Sequence, residues 1–93
     1  MNRLQLLLGK LAEECAEVAK ASLKAQHFGL DDVYNGNSNA ERIRAELDDL
    51  TAIVEMLNDE FSLEYVPNAE NISLKKIKVN HFAEYSKAKG FVS

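Results

Sequence analysis

The sequence predicts an all-α protein forming a single domain over residues 1–93. Three observations carry this expectation. Apolar residues recur at spacings of three and four along extended segments, the period of an amphipathic helix. Breakers are scarce, with 1 Pro and 4 Gly in 93 residues. Cap signals bound the periodic segments. A composition of 46% hydrophobic and 28% charged residues fits a folded chain and excludes a disordered one.

The first helix is expected from about Asn2 to His27. Leu4, Leu8, Leu11, Cys15, Val18 and Ser22 form its apolar stripe, with Cys15 packed in the core. Gly29 supplies a left-handed C-terminal cap. Residues 31–37 read as a loop, with Asn35-Gly36-Asn37 as its turn. Ser38 and Glu41 form a capping box that opens a second helix ending near Phe61, with a stripe of Ile43, Leu47, Leu50, Val54, Leu57 and Phe61. A connection around Val66-Pro67-Asn68 leads to a third helix, roughly Asn71 to Lys89, closed by Gly90. No sheet is expected.

Charge is divided along the chain. Residues 1–66 hold 6 Lys/Arg against 13 Asp/Glu, and residues 67–93 hold 5 against 2, giving an acidic body and a basic tail. The net charge of −4 argues against a general nucleic-acid binder. A single Cys excludes an internal disulfide framework and points to a reducing compartment. The longest apolar run, Leu6-Leu7-Leu8, is far short of a membrane span of about 20 residues, and no signal-peptide pattern is present. A soluble intracellular protein is the expectation. The first helix is apolar on two sides, because Ala12, Ala16, Ala19 and Leu23 flank its main stripe. A chain of this size cannot cover both, so an oligomer, most simply a homodimer, is expected.

The chemistry concentrates in two short stretches, Glu13-Glu14-Cys15-Ala16-Glu17 and Glu46-Leu47-Asp48-Asp49. Glu14 with Glu17, and Glu46 with Asp49, are three apart and share a helix face. Two antiparallel helices can therefore aim four carboxylates at one point. Glu46 falls angularly between Leu50, Leu57 and Ile53, inside the apolar stripe. Asp49 lies between Ile53 and Met56, whereas Asp48 and Glu55 point to the polar side. A carboxylate turned toward a core is costly unless protonated, paired or bound to a metal. Oxygen-only donors favour a hard cation, Mg²⁺ or Mn²⁺. A di-iron bundle would place His three residues after Glu; here those positions are Glu17 and Asp49. The plain alternative is a solvated acidic face, which accounts for Glu13, Asp48 and Glu55 but poorly for Glu46.

Glu-Glu-x-x-Glu at 13–17 followed by Glu-x-x-Asp at 46–49 resembles the signature of the MazG-like all-α nucleoside triphosphate pyrophosphohydrolases. Leu11 to Val18, Phe28 to Val33, Asn39 to Arg42, Glu46 to Leu50 and Val54 to Leu57 extend the likeness, which is similar to that of small phage-type members acting on dATP or dGTP. It covers about residues 4–61 firmly and reaches Tyr85-Ser86 more loosely.

The resemblance implies hydrolysis of a nucleoside triphosphate to the monophosphate and pyrophosphate. It implies Glu14, Glu17, Glu46 and Asp49 as catalytic metal ligands; Glu13 also matches a motif acid, but its angular position, further from the apolar stripe, suits a supporting role. It also implies a homodimer or dimer of dimers with four-helix bundles formed across chains, and a cytoplasmic setting in a bacterial or phage-infected cell. Four carboxylates meet a triphosphate only with cations between, so two or more Mg²⁺ ions are expected. Lys24 on the first helix, and Lys75 and Lys78 with Tyr85 on the third, are the expected phosphate contacts. No aromatic cluster in the sequence marks a base pocket. Two alternatives stay open: a hydrolase of another phosphoanhydride such as dUTP or phosphoribosyl-ATP, and a non-catalytic helical dimerisation module.

Overall fold

The computed structural model describes residues 1–93 and is mostly helical. It contains α1 (Arg3–Phe28), a hairpin of β1 (Val33–Tyr34) and β2 (Asn37–Ser38), α2 (Asn39–Phe61) and α3 (Ala69–Ala88). Side chains satisfy the free amides at each helix start. Asn2 and Gln5 form a capping box, with the Gln5 amide donating to Asn2 Oδ1 at 2.8 Å and the Asn2 amide to Gln5 Oε1 at 2.9 Å. Ser38 and Glu41 form the second, with both bonds at 3.1 Å. These bonds hold the Glu41 carboxyl below its usual range. Asn68 caps α3 by accepting from the Asn71 amide at 2.9 Å, so this helix begins two residues earlier than the sequence pattern suggests.

The connection between α1 and α2 is more ordered than a plain loop. Asn35 and Gly36 both have positive φ, 52° and 83°, the requirement of the two-residue turn that matches strand twist. The result is a minimal antiparallel ribbon pairing Val33 with Ser38 and Tyr34 with Asn37. This small sheet corrects the expectation of none. Gly29 ends α1 with φ 92° and ψ 156°, a positive φ that glycine tolerates, but extended rather than left-handed helical. The extended exit sends the chain out toward the hairpin. Asn39 draws it back: its amide donates to the Asp32 carbonyl at 3.0 Å and its side chain to the Gly29 carbonyl at 2.8 Å.

α1 and α2 pack antiparallel. At the open end the Arg3 guanidinium donates to both Glu60 oxygens, at 2.9 and 3.1 Å. The residues of α1 withdrawn from solvent are Leu7, Leu11, Glu14, Val18, Ala21 and Ala25. Facing them on α2 run Asn39, Ile43, Glu46, Leu50, Ile53 and Leu57. Both series alternate spacings of four and three, the seam of an antiparallel coiled coil. Only Leu7, Leu57 and Asn39 are fully buried. The stripe expected on the first helix is thereby corrected. Leu4, Leu8, Cys15 and Ser22 are exposed, as are Leu47 and Phe61 on the second. Those residues form another apolar side of the helix pair, and Cys15 is a solvent-facing thiol.

α3 stands apart. Every residue from Ala69 to Ala88 is exposed except Ser86, which is half-buried. Its apolar residues, among them Ile72, Leu74, Ile77 and Phe82, do not gather on one side, so the helix has no face to lay on α1 and α2. Ser62 in the left-handed conformation ends α2. Asn58 then ties the connection back, exchanging two 2.9 Å hydrogen bonds with the Tyr65 backbone. The chain exposes 7500 Å², where a folded monomer of this mass exposes roughly 5400 Å². Its radius of gyration is 16.7 Å, against about 12 Å for a compact domain of this length. No helix is long and apolar enough to cross a membrane.

Leu57 is the most enclosed side chain, at 1% exposure. Leu57→Ala is expected to destabilise the fold by about 2–5 kcal/mol, the range for emptying a buried leucine site. Urea unfolding followed by circular dichroism measures this.

Candidate functional site

The seam carries acids in its middle where a coiled coil carries leucines. Glu14 of α1 and Glu46 of α2 occupy seam positions, both half-buried. Asp49, one turn beyond Glu46, is exposed at the seam's edge. One carboxylate oxygen from each of Glu14, Glu46 and Asp49 lies within 4.8 Å of the others. Helix geometry produces this convergence, since residues three apart share a face and antiparallel pairing sets the middle of α1 against the first half of α2.

The remaining sequence-predicted acids sit differently. Glu17 is exposed and stands outside the three-oxygen cluster, lining a cleft beside it with Lys20, Ala21, Lys24, Arg42 and Glu46. Glu13 points outward and pairs with Lys10 at 3.1 Å, so its carboxylate does not support the cluster by direct bonding. Asp48 is exposed and outside the cluster.

The cluster acids repel one another. Partial withdrawal from water raises the Glu14 pKa first, and the charges of Asp49, Glu46, Glu17 and Glu13 raise it further. None of the three cluster acids enters either of the chain's ion pairs. The donor set is three carboxylates with no thiolate or imidazole, which suits a hard divalent cation rather than a soft one. The half-buried placement and unpaired negative charge fit such an ion.

Cations line the cleft beside Glu46. Lys24 lines the cleft, together with Lys20 and Arg42, two residues that sequence reasoning did not single out. Arg42 precedes Glu46 by four residues and so shares its face, which was a readable signal. Its guanidinium donates to the Tyr34 carbonyl and lies 5.6 Å from the Tyr34 ring centroid. Lys75 and Lys78 lie on α3 beside a shallow hollow with Asn71 and Leu74, and the Tyr85 ring lies under Lys89. Within one chain, α3 brings none of these three to the carboxylates.

Lys24 and Arg42 also line an adjoining cavity of about 320 Å³ with Phe28, Asp32, Tyr34 and Asn39. The cleft and the cavity thus share Lys24 and Arg42 as walls, with Glu17 and Glu46 on one side and Phe28 and Tyr34 on the other. On the opposite course, an apolar groove runs between Leu11, Cys15, Leu50, Val54, Tyr65 and Pro67.

The raised Glu14 pKa has a definite sign. A carboxyl whose pKa rises on folding contributes stability below its unfolded value and loses that contribution as pH climbs through the folded value. Without metal, the Glu14 contribution is therefore expected to be lost as pH rises above the ordinary carboxyl range of about 4, against the opposite contributions of Glu41 and Glu60, whose carboxyls are held low by Ser38 and Arg3. Glu14→Gln should flatten that decline and raise the melting temperature at neutral pH in EDTA. Mg²⁺ should raise the wild-type melting temperature more than the variant's. Thermal melts across this pH range, with and without the ion, provide the measurement. No family model, curated protein or solved structure matches the chain.

Proposed function

We propose that the protein is a divalent-metal-dependent nucleoside triphosphate pyrophosphohydrolase, releasing a monophosphate and pyrophosphate. One observation carries the reading: the half-buried Glu14 and Glu46 converge with the exposed Asp49 at a helix seam, beside the cationic cleft of Lys20, Lys24 and Arg42. A purely structural seam would place apolar residues there. A site for a polyanion and its cations calls for this alternation of acid and base.

Glu14, Glu46 and Asp49 would hold Mg²⁺ or Mn²⁺. A divalent ion supplies Lewis acidity toward a phosphoryl oxygen and neutralises phosphate charge. Lys24, Lys20 and Arg42 bind the remaining phosphate charge and orient the chain of phosphates along the cleft. Glu17 lines that cleft outside the three-oxygen cluster and is the acid free to accept the proton of the attacking water. The new bond forms between that water's oxygen and the α-phosphorus. The bond to the bridging oxygen breaks, and pyrophosphate leaves.

The proposal includes a homo-oligomer in which helix pairs from different copies build a four-helix bundle. The excess exposed surface supports it, being roughly 2000 Å² over a monomer's expectation, comparable to one partner's share of a large obligate interface. The exposed apolar side of α1 and α2, with Leu4, Leu8, Leu47 and Phe61, supplies the surface to be covered. Assembly also offers a route for Lys75, Lys78 and Tyr85 to reach a carboxylate cluster, that of another copy. The competing reading, a helical dimerisation module without chemistry, accounts for this apolar surface but leaves the carboxylate cluster unexplained.

Two outcomes are expected. Incubation with each nucleoside triphosphate and Mg²⁺ should yield monophosphate and pyrophosphate; diphosphate and orthophosphate as primary products would place the cleavage at the wrong bond. Asp49→Asn should lower turnover by at least tenfold, while its neighbour Asp48→Asn leaves it nearly unchanged. An inactive Asp48→Asn beside an active Asp49→Asn would refute the site. For assembly, light scattering at micromolar concentration should return at least twice the 10.4 kDa chain mass.

A further inference from the structure

Arg42 precedes Glu46 by four residues in α2 and lies about 40° from it around the helix axis. Opposite charges at that spacing pair on ordinary helices. Both side chains are half-buried, and both line one cleft. The attraction exceeds that of a single glutamate, because oxygens of Glu14 and Asp49 stand within 4.8 Å of one from Glu46. Yet the chain's two ion pairs are Arg3–Glu60 and Lys10–Glu13. The strongest local partner for Arg42 is left unused.

The hairpin accounts for this. The Arg42 guanidinium donates to the Tyr34 carbonyl, and its Cζ lies 5.6 Å from the centroid of the Tyr34 ring. The carbonyl supplies a hydrogen-bond acceptor, and the ring face attracts positive charge. Lys24 Nζ lies 6.0 Å from the centroid of the same ring and likewise joins no acid in an ion pair. Glu41, the acid next to Arg42 in sequence, is engaged by the Ser38 amide.

The ribbon itself adds nothing to the core. It has two residue pairs, and none of its four residues is buried. What it does is fix the place of Tyr34. Asn35 and Gly36, with φ of 52° and 83°, turn the strand back. The Asn39 and Ala40 amides donate to the Asp32 and Leu30 carbonyls, each at 3.0 Å. These bonds moor the connection to the first turn of α2, which carries Arg42. If Arg42 closed on Glu46 instead, a divalent ion would first have to displace an internal cation.

We propose that the β-hairpin is a positioning element for the carboxylate cluster: Tyr34 holds Arg42 off Glu46 and so leaves the acids open to a divalent cation. This rests on the divalent-metal part of the pyrophosphohydrolase reading. Its test involves no hydrolysis, so the two fail separately.

Gly36→Val places a branched side chain at a positive φ that such residues avoid. A Cβ at this position meets nothing within 4 Å, so the change acts on the turn and not on packing. Gly36→Ala is the milder form of the same change, used if the valine variant loses helix by circular dichroism. Two measurements are made on the full chain. In the first, the Arg42 Nε–Hε resonance is followed by NMR without metal. Glu46→Gln should leave it in place in the wild-type background and shift it in the Gly36 variant, where Arg42 has moved to Glu46. In the second, Mn²⁺ binding is measured by electron paramagnetic resonance. The Gly36 variant should bind Mn²⁺ roughly threefold more weakly or worse, the effect of a cluster paired two thirds of the time. In an Arg42→Gln background the same Gly36 change should cost nothing, since the effect passes through Arg42.

An equal loss of Mn²⁺ affinity in both backgrounds would make the hairpin merely structural and overturn the proposal. So would an Arg42 resonance that responds to Glu46→Gln in the wild type. Absence of Mn²⁺ binding by the wild type overturns it together with the metal reading. Both expected results, with no triphosphate hydrolysed, uphold the positioning role and overturn the hydrolase alone.

Discussion

The structure depends on one seam that is closed at both ends and charged in the middle. Leu7 and Leu57, both nearly sealed from solvent, and the Arg3–Glu60 pair close the open end of the helix hairpin. Asn39, bonded to Gly29 and Asp32, closes the end nearest the connection. Between these closures Glu14 and Glu46 occupy layers that would otherwise bury aliphatic carbon, at about 1.5–3 kcal/mol per side chain. The chain forgoes that stabilisation and adds like-charge repulsion, visible in the raised Glu14 pKa. On the proposed reading, a divalent cation at the cluster would reverse the sign of the electrostatic contribution. Occupancy and the rigidity of the helix pair are then one equilibrium, because an ion that binds only the closed seam stabilises it by mass action.

The same seam explains why the chain leaves so much surface open. Two helices joined in a hairpin cover each other along one stripe only. Both α1 and α2 carry apolar residues on another side as well, and α3, exposed throughout apart from Ser86, does not cover them. The apolar groove of Leu11, Cys15, Leu50 and Val54 shows the consequence, for it opens directly against seam residues. On the proposed oligomeric reading, a second helix pair covers that side and keeps water from both flanks of the acids. Withdrawal from water strengthens every charge interaction at the cluster. Assembly and metal affinity would then rise together.

Much of this was legible in the sequence, and the misses have identifiable causes. The three helices and the Ser38–Glu41 capping box follow from local signals that tertiary context leaves intact. Glu46 was recognisable because its neighbours Leu50, Ile53 and Leu57 are apolar and surround it angularly. Glu14, also half-buried, was legible from its spacing to Glu17 rather than from apolar neighbours. The first helix has two apolar sides, and periodicity selects the stronger one, Leu4-Leu8-Leu11-Cys15. The structure sets the other, Leu7-Leu11-Glu14-Val18, against α2. Period alone reports that a helix has a face, not which partner it meets. The hairpin is hidden for a different reason: Asn35-Gly36 signals a turn, but two-residue strands leave no alternation to detect.

The cationic and aromatic end of the site was harder still to read, since its parts are distant in sequence and belong to separate elements. Lys20 and Lys24 come from α1, Tyr34 from the hairpin and Arg42 from the first turn of α2. Each alone is an ordinary surface residue. Their meeting follows from the chain reversal at residues 29–39, where the extended Gly29, the ribbon and the Asn39 bonds fold the end of α1 over the start of α2. That reversal places positive charge within one to two helical turns of Glu46 without neutralising it, since no ion pair within 4 Å joins Arg42 or Lys24 to the acids. A direct pair would satisfy both charges internally and leave little for a ligand. Held apart across an open cleft, the two signs are instead left free, and on the proposed reading they would meet a molecule that carries cations at one end and phosphates beside them. The separation of the charges, as much as their presence, distinguishes this cleft from a structural salt-bridge network.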